Sequence, residues 1–280
     1  MSSSDYIRGK VIVITGAAGG FGRLVAEKAG ARGARIVCAD LDEGALAETG
    51  SALEGAGVEA LCQRADVTSM ADMQVLAAAA VERFGAIDVM VNNAGIMPLA
   101  FFSDHESALP AWERCIDVNI KGVLHGITAV YDQMIHQGSG HVVNLSSIYS
   151  NFPVAGAAVY GASKAAVNFL SESLRVESRG RIKVTNVRPT GVPGTNLGTG
   201  IVNPEAIVGI LGQNAPAYLQ QMGAHQAGEL PAEQLDAENI EYYALDPEHL
   251  AEQIVYAIDQ PLGVSISDIT VRAAGDGYIL

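Results

Sequence analysis

The 280-residue sequence has only three cysteines, Cys38, Cys62 and Cys115, an odd number with no CxxC spacing. They supply no disulfide framework. Each sits in an apolar stretch, so buried free thiols in a reducing compartment are expected. The six histidines form no HExxH and no Cys/His cluster, so no catalytic metal is expected. Charged residues are sparse, at 17%, and sum to −14. That excess repels phosphate and argues against nucleic acid and anionic membranes as partners, while favouring solubility. Apolar runs such as Val11–Ile14 and Val142–Val143 are short and interrupted, leaving nothing able to span a bilayer. The opening segment Met1–Lys10 lacks the apolar core of a secretion signal, which points to a soluble cytoplasmic protein.

The sequence is rich in apolar residues, at 49%, enough for one large α/β domain with a buried core. Short apolar strands alternate with longer helical patterns. Strands are predicted at Lys10–Thr15, Arg35–Asp40, Glu59–Arg64, Val89–Asn92, His141–Ser146, Lys183–Arg188 and Ser267–Arg272. Helices are predicted at Gly20–Ala31, Asp42–Gly55, Ser69–Phe84, Trp112–His136, Val159–Ser178 and Asp246–Asp259. Continuously apolar strands separated by helices imply a doubly wound parallel sheet covered on both faces. From Pro189 to about Leu245 the rhythm breaks into Gly, Pro, Asn and Gln. That stretch is too short for a core of its own and predicts an excursion over the sheet, an extended substrate lid over about 189–245.

The first strand runs into Thr15–Gly22, a TGAAGGFG turn opening directly into a helix. Gly16 permits a tight turn, Gly20 lets backbone approach a pyrophosphate, and Gly22 lets helix pack on strand. The helix start then offers free N–H groups to the anion. Asp40 ends the second strand, where a carboxylate accepts both ribose hydroxyls and repels a 2′-phosphate. No Arg or Lys stands at Leu41 or within Ala17–Phe21, so NAD is expected over NADP. Asp66-Val67 follows the third strand, either meeting the adenine or forming a plain turn. Asn92-Asn93-Ala94-Gly95 follows the fourth, either passing close to a ribose or making an ordinary turn.

Tyr160 and Lys164 lie four apart at the start of a helix and so share a face. A free phenol titrates near 10; a neighbouring ammonium favours the phenolate and brings it toward useful acid–base range. Tyr-x-x-x-Lys also arises by chance, but Ser147 stands thirteen residues earlier at a strand end. Its hydroxyl there suits a substrate carbonyl and a developing alkoxide. Asn119 is a polar residue inside an apolar helix, either a satisfied core amide or the holder of a water that relays protons to Lys164.

Together these motifs resemble the short-chain dehydrogenase/reductase family, in its common subgroup of about 250 residues, over Lys10–Arg272. The resemblance implies a Rossmann-type α/β fold and an NAD-dependent oxidoreductase interconverting a secondary alcohol and ketone. It implies Tyr160 as general acid–base, Lys164 as its electrostatic partner and ribose ligand, Ser147 rather than Ser146 as the substrate-positioning serine, and Asn119 as the structural water holder. The family's cofactor positions fall on Gly16, Gly20, Phe21, Gly22, Asp40, Leu41, Asp66, Val67, Asn93, Ala94, Gly95, Tyr160 and Lys164. Pro189, Thr190, Gly191, Val192 and Thr195 resemble its carboxamide-binding segment. Two departures stand out: Phe21 where the family has Ile or Leu, and Thr190 where it reads Pro-Gly.

Met97, Phe101, Ser147, Tyr149, Phe152, Val154, Ile201 and Ile207 are candidate substrate contacts, and the apolar ones would equally pack the lid. No Arg or Lys lies within Gly194–Leu245, so a carboxylate or phosphate substrate lacks an anchor there. A neutral, mainly hydrophobic alcohol or ketone is expected, whether cyclic, aryl, terpenoid or steroid. The alternatives are a 3-ketoacyl thioester reductase, which Asp40 and the net charge disfavour, and a non-catalytic dinucleotide sensor, which retention of Tyr160 and Lys164 disfavours. The resemblance further implies a homotetramer, or a dimer, joined through the helices at Trp112–His136 and Val159–Ser178.

Overall fold

The computed structural model describes residues 5–193 and 195–279. Part of the opening segment, residues 1–4, and Gly194 in the excursion fall outside that range. Among the described residues, the strands β1 (Val11–Thr15), β2 (Arg35–Asp40), β3 (Ala60–Arg64), β4 (Val89–Asn92), β5 (Gly140–Leu145), β6 (Ile182–Pro189) and β7 (Asp268–Val271) form one sheet. Its order is β3-β2-β1-β4-β5-β6-β7, and every pairing is parallel. This is the Rossmann-like doubly wound arrangement that the alternating pattern predicts.

Both faces are covered because neighbouring strand residues point to opposite sides. Val11, Val13, Val37, Met90, Val142 and Val184 pack on α3 (Met70–Phe84), α5 (Gly122–Gln137) and α6 (Ala158–Glu177). The alternate residues Ile12, Ile14, Ile36, Val91, Val143 and Val187 pack on α1 (Gly20–Ala31), α2 (Glu43–Gly55) and the late helix Pro247–Ile258. Each fully buried Val or Ile contributes about 1.5–3 kcal/mol, so the two layers together hold the sheet rigid beneath its loops.

Two segments differ from the sequence expectation. The helix predicted from Trp112 begins at His105 as α4 (His105–Ile116), taking Pro110 in its second turn at the loss of one backbone hydrogen bond. It then passes through a π turn, Asp117–Lys121, into α5. The Pro189–Leu245 excursion holds α7 (Val208–Leu211), α8 (Ala215–Ala227) and α9 (Ala232–Leu235), ahead of α10 (Pro247–Ile258). Pro216 in the first turn of α8 and the left-handed Gly228 after its last were the legible start and stop signals. Cys62 is half-buried rather than buried, while Cys38 and Cys115 are buried, and all three thiols are free. Among the described residues no helix is long and apolar enough to cross a membrane.

Deep in β5, His141 Nε2 lies 2.8 Å from Thr185 Oγ1, which itself donates to the Ile266 carbonyl at 2.6 Å. Thr185 has one proton to give, so His141 donates through Nε2 and its bare Nδ1 is buried without a partner. Burial, with the Lys183 and Lys10 charges, pushes this imidazole down from 6.5 to about 3. Between those values the unfolded chain binds a proton that the folded chain refuses. The stability involved is therefore whole above pH 6.5 and is lost as pH falls toward 3. At about 1.4 kcal/mol per pH unit, roughly 2 kcal/mol should go between pH 6.5 and 5. Denaturant midpoints across that range should fall for the parent and fall less for His141→Gln.

Candidate active site

Strand order reverses between β1 and β4, so the loops leaving their C-terminal ends diverge and open a crevice. The crevice is a cleft of about 690 Å³ lined by Asp40 on the β2 side and by Tyr218 and Tyr278 on the side of the excursion and C-terminal segment.

Helix α1 starts directly from the glycine turn. Its N-cap, Gly19, offers no side-chain cap and its first turn carries no acid. Gly19, Gly20 and Phe21 line the cleft, so the positive end of that helix is presented to whatever the cleft holds. Gly16 and Gly20 have φ of +66° and +50°, a conformation that disfavours side chains. A methyl at Gly16 would also fall 2.8 Å from Asn93 Nδ2. Gly22 does not line the cleft; a methyl there would overlap the Gly16 carbonyl, so its role is close helix–strand packing.

The turns after β1 and β4 are tied to each other. Thr15 Oγ1 accepts the N–H groups of Asn93 and Ala94, each at 3.2 Å. The Asn93 amide donates to the carbonyls of Thr15 and Gly16, both at 2.9 Å. Asn93 lines the cleft while its amide nitrogen is occupied in holding the glycine turn. Asp40 is fixed at the tip of β2 by the N–H groups of Ala18 at 3.0 Å and Asp42 at 3.2 Å. Two backbone donors leave the carboxylate with acceptor capacity. Asp66 Oδ1 accepts the Thr68 N–H and hydroxyl at 2.9 and 2.8 Å, the plain-turn geometry, and Asp66 and Val67 both line the cleft.

These features fit a dinucleotide: an uncapped helix start for a pyrophosphate, a cradle that a Cβ would obstruct, and a fixed carboxylate for ribose hydroxyls.

Further along, Ser147, Tyr160 and Lys164 converge on the same cleft. Tyr160 opens α6 and Lys164 follows one turn later; both are buried, at 3% and 4% exposure. Lys164 Nζ donates to the Leu145 carbonyl at 2.7 Å and lies 5.8 Å from the centre of the Tyr160 ring. Burial pulls its ammonium down to about 8, opposed by the Cys115 thiol. The Tyr160 phenol is raised above its ordinary value, chiefly by burial, with a hydrogen bond from Ser147 acting in the lowering direction. The lowering that the sequence predicted from the Lys164 ammonium is thus not what sets this phenol; burial is. Tyr149 packs edge-on to Tyr160 at 5.4 Å. Ser146 instead turns to the α6 backbone, donating to the Lys164 carbonyl at 3.2 Å, which leaves Ser147 as the serine beside Tyr160.

Asn119 sits on the π turn, buried behind the cleft rather than lining it. Its Oδ1 accepts the Ile96 N–H and its Nδ2 donates to the Ile96 carbonyl, both at 2.9 Å; Nδ2 also reaches Ser163 Oγ at 3.0 Å. The side chain thus clamps the loop after β4 onto α6. Asn119 Oδ1 and Lys164 Nζ both flank Gly95, at 3.3 and 3.4 Å from where its Cβ would be.

Leu41, Ala94, Gly95, Met97, Tyr149, Pro189, Thr190, Gly191, Val192, Thr195, Ile201 and Ile207 line the cleft. Phe101, Phe152 and Val154 do not: Phe152 is 64% exposed, and Phe101 and Val154 pack into the apolar cluster under the excursion. Thr190 hydrogen-bonds to the Val271 carbonyl at 3.3 Å, tying the loop after β6 to β7. No local pattern marked Arg114, Tyr218, Met222 or Tyr278 as part of the lining. The first is a cation on α4, the next two lie on α8, and Tyr278 arrives from the C-terminal segment.

The short chain dehydrogenase family profile matches residues 10–205. An uncharacterised oxidoreductase of Listeria innocua is 35% identical over 268 residues, covering 95% of this chain and 96% of that protein. Among solved structures, a short-chain dehydrogenase/reductase from Burkholderia phymatum, in complex with NAD, is 33% identical with a TM-score of 0.74, covering 95% of this chain and 89% of that one. A serine dehydrogenase complexed with NADP+, in its closed form, is 26% identical, also with a TM-score of 0.74, covering 93% and 94%. With these relatives, that sheet order and that cleft, the chain belongs to the short-chain dehydrogenase family and is an oxidoreductase.

Proposed function

We propose that the protein is an NAD-dependent dehydrogenase interconverting a secondary alcohol and a ketone, with a neutral, mainly hydrophobic substrate. The convergence of Ser147, Tyr160 and Lys164 on a cleft that Asp40 also lines carries this reading. Bound nicotinamide would supply or accept the hydride. Ser147 then holds the substrate oxygen, and the Tyr160 phenol gives that oxygen its proton in reduction or takes it back in oxidation. Lys164 stabilises the phenolate that reduction leaves behind. A water beside Asn119 and Lys164 would return the phenol's proton. The stretch 189–245 serves as the lid, with Met97, Tyr149, Ile201 and Ile207 as apolar contacts. That stretch lacks Arg and Lys, which favours an uncharged substrate; the cation Arg114 that does line the cleft stands on α4, outside the lid.

Asp40 favours NAD over NADP because a 2′-phosphate would meet a fixed carboxylate with no cation at Leu41 or within Ala17–Phe21. A homotetramer is supported by apolar side chains left exposed on α4, α5 and α6: Leu109, Ile116, Leu124, Phe169 and Val176. Exposed apolar side chains of this size suit a subunit interface.

Four outcomes test the reading. Following absorbance at 340 nm over a panel of secondary alcohols, Tyr160→Phe should abolish turnover while NAD affinity changes little; wild-type turnover in that variant removes Tyr160 from the chemistry. Asp40→Ala should weaken NAD about tenfold or more and narrow the gap to NADP, and a parent that already prefers NADP contradicts the role given to Asp40. Ketone reduction needs the protonated phenol and the Lys164 ammonium. Its kcat/KM should therefore decline as pH rises through about 8, where Lys164 loses its charge. Phe169→Asp should shift the elution volume toward smaller assemblies.

A further inference from the structure

The reaction cleft adjoins a second cavity of about 180 Å³, and Gly191, Pro193, Tyr218, Met222 and Tyr278 line both. The partition is built from two tyrosines. Tyr218 of α8 and Tyr278 lie with ring centres 5.5 Å apart and hydroxyls hydrogen-bonded at 2.8 Å. The Tyr278 hydroxyl fits against Gly191, where any Cβ would overlap it. Tyr243 backs Tyr218 from the far side, with ring centres 5.6 Å apart.

The segment carrying Tyr278 is fastened along its length. Arg272 pairs with Asp276 and donates to the Tyr278 carbonyl at 2.8 Å. Asn214 donates to the Gly277 carbonyl at 3.0 Å, and the Ile279 N–H to the Ile210 carbonyl at 3.2 Å. Its anchors therefore lie just after β7, at Arg272, and in the excursion, at Ile210 of α7 and Asn214 ahead of α8. Aromatic walls of this kind lose little conformational freedom on ordering and resist displacement. Each phenol satisfies the other, so neither has to find a partner on the substrate.

We propose that Tyr278, braced by Tyr218, is a specificity-determining residue. The pair forms the far wall of the reaction cleft and limits the substrate to a compact neutral alcohol or ketone, one ring or a short branched chain. This rests on the alcohol–ketone function proposed above. The cleft takes both dinucleotide and substrate, so the substrate has only the space between Ser147–Tyr160 and the tyrosine pair. A fused polycycle or a long acyl chain has to extend past the pair into the second cavity, which the intact wall closes.

Steady-state kinetics at saturating NAD should compare cyclohexanol and 1-phenylethanol with decahydro-2-naphthol and 2-decanol. The parent should favour the compact pair by about tenfold or more in kcat/KM. Tyr278→Ala and Tyr218→Ala open the wall from two different elements. Each should raise kcat/KM for the bulky pair about tenfold, mainly through KM, while NADH affinity read by nicotinamide fluorescence shifts less than about twofold. Tyr278→Phe retains the ring and should keep the parent's size profile. An unchanged size profile in both alanine variants, or an equal change in Tyr278→Phe, overturns the proposal. Melting shifts produced by the same alcohols with NADH present read the wall without turnover, and Tyr278→Leu guards against loss of folding in the alanine variants. If the parent oxidises none of the alcohols, the alcohol–ketone reading fails. The wall still stands if the bulky alcohols stabilise the opened variants more than the parent, and falls if they do not.

Discussion

The hydrogen bonds joining Thr15 to the turn after β4, and Asn93 to the turn after β1, hold the rest of the site in place. Two parallel strands whose following helices lie on opposite faces would otherwise leave their loops free to splay. The small polar clamp fixes the glycine turn against the fourth strand, and so sets the floor along which a dinucleotide can lie. Asn119 repeats the device one layer down, clamping Ile96 while reaching Ser163 on α6. Two asparagines and a threonine thereby register the cofactor end of the cleft to the reacting end.

The chemistry depends on burial as much as on the choice of residues. Tyr160 and Lys164 both sit in a desolvated environment, and desolvation moves both groups toward their neutral forms. A free phenol and a free ammonium titrate close together, at 10.0 and 10.5, and burial draws them apart, raising Tyr160 and lowering Lys164 to about 8. A buried phenol that keeps its proton through neutral pH is fit to serve as a general acid. The π turn has a part in this: it places Asn119 behind Gly95, next to the lysine, where an uninterrupted α-helix would present a different face.

Much of this was legible in the sequence. The strands announced themselves as short apolar runs because a sheet covered on both faces has no polar side to show, and the glycine turn, Asp40, Ser147, Tyr160 and Lys164 stand at strand ends or helix starts, where local spacing fixes position. The limits were equally physical. The helix expected from Trp112 starts at His105 instead, because a helix tolerates the loss of one backbone bond at Pro110 when its flanks are packed, as Trp112 and Cys115 are. Phe152 and Val154 looked suitable for a substrate by being apolar, yet a short 3-10 turn after Ser147 carries the chain past the cleft before reaching them. Tyr218 and Tyr278 are sixty residues apart in the chain and meet only through the tertiary fold, so no local pattern could pair them.

The contact between Tyr278 and Gly191 has a thermodynamic corollary. Gly191 belongs to the loop after β6 that lines the cleft where the dinucleotide and substrate regions meet, so the same glycine senses both. Any molecule whose arrival displaces the Tyr278 ring must strain or relax that loop. The two ligands then influence each other's affinity by one common factor, whichever arrives first. Cooperativity between the two can therefore be built into a single van der Waals contact, without any movement of the sheet.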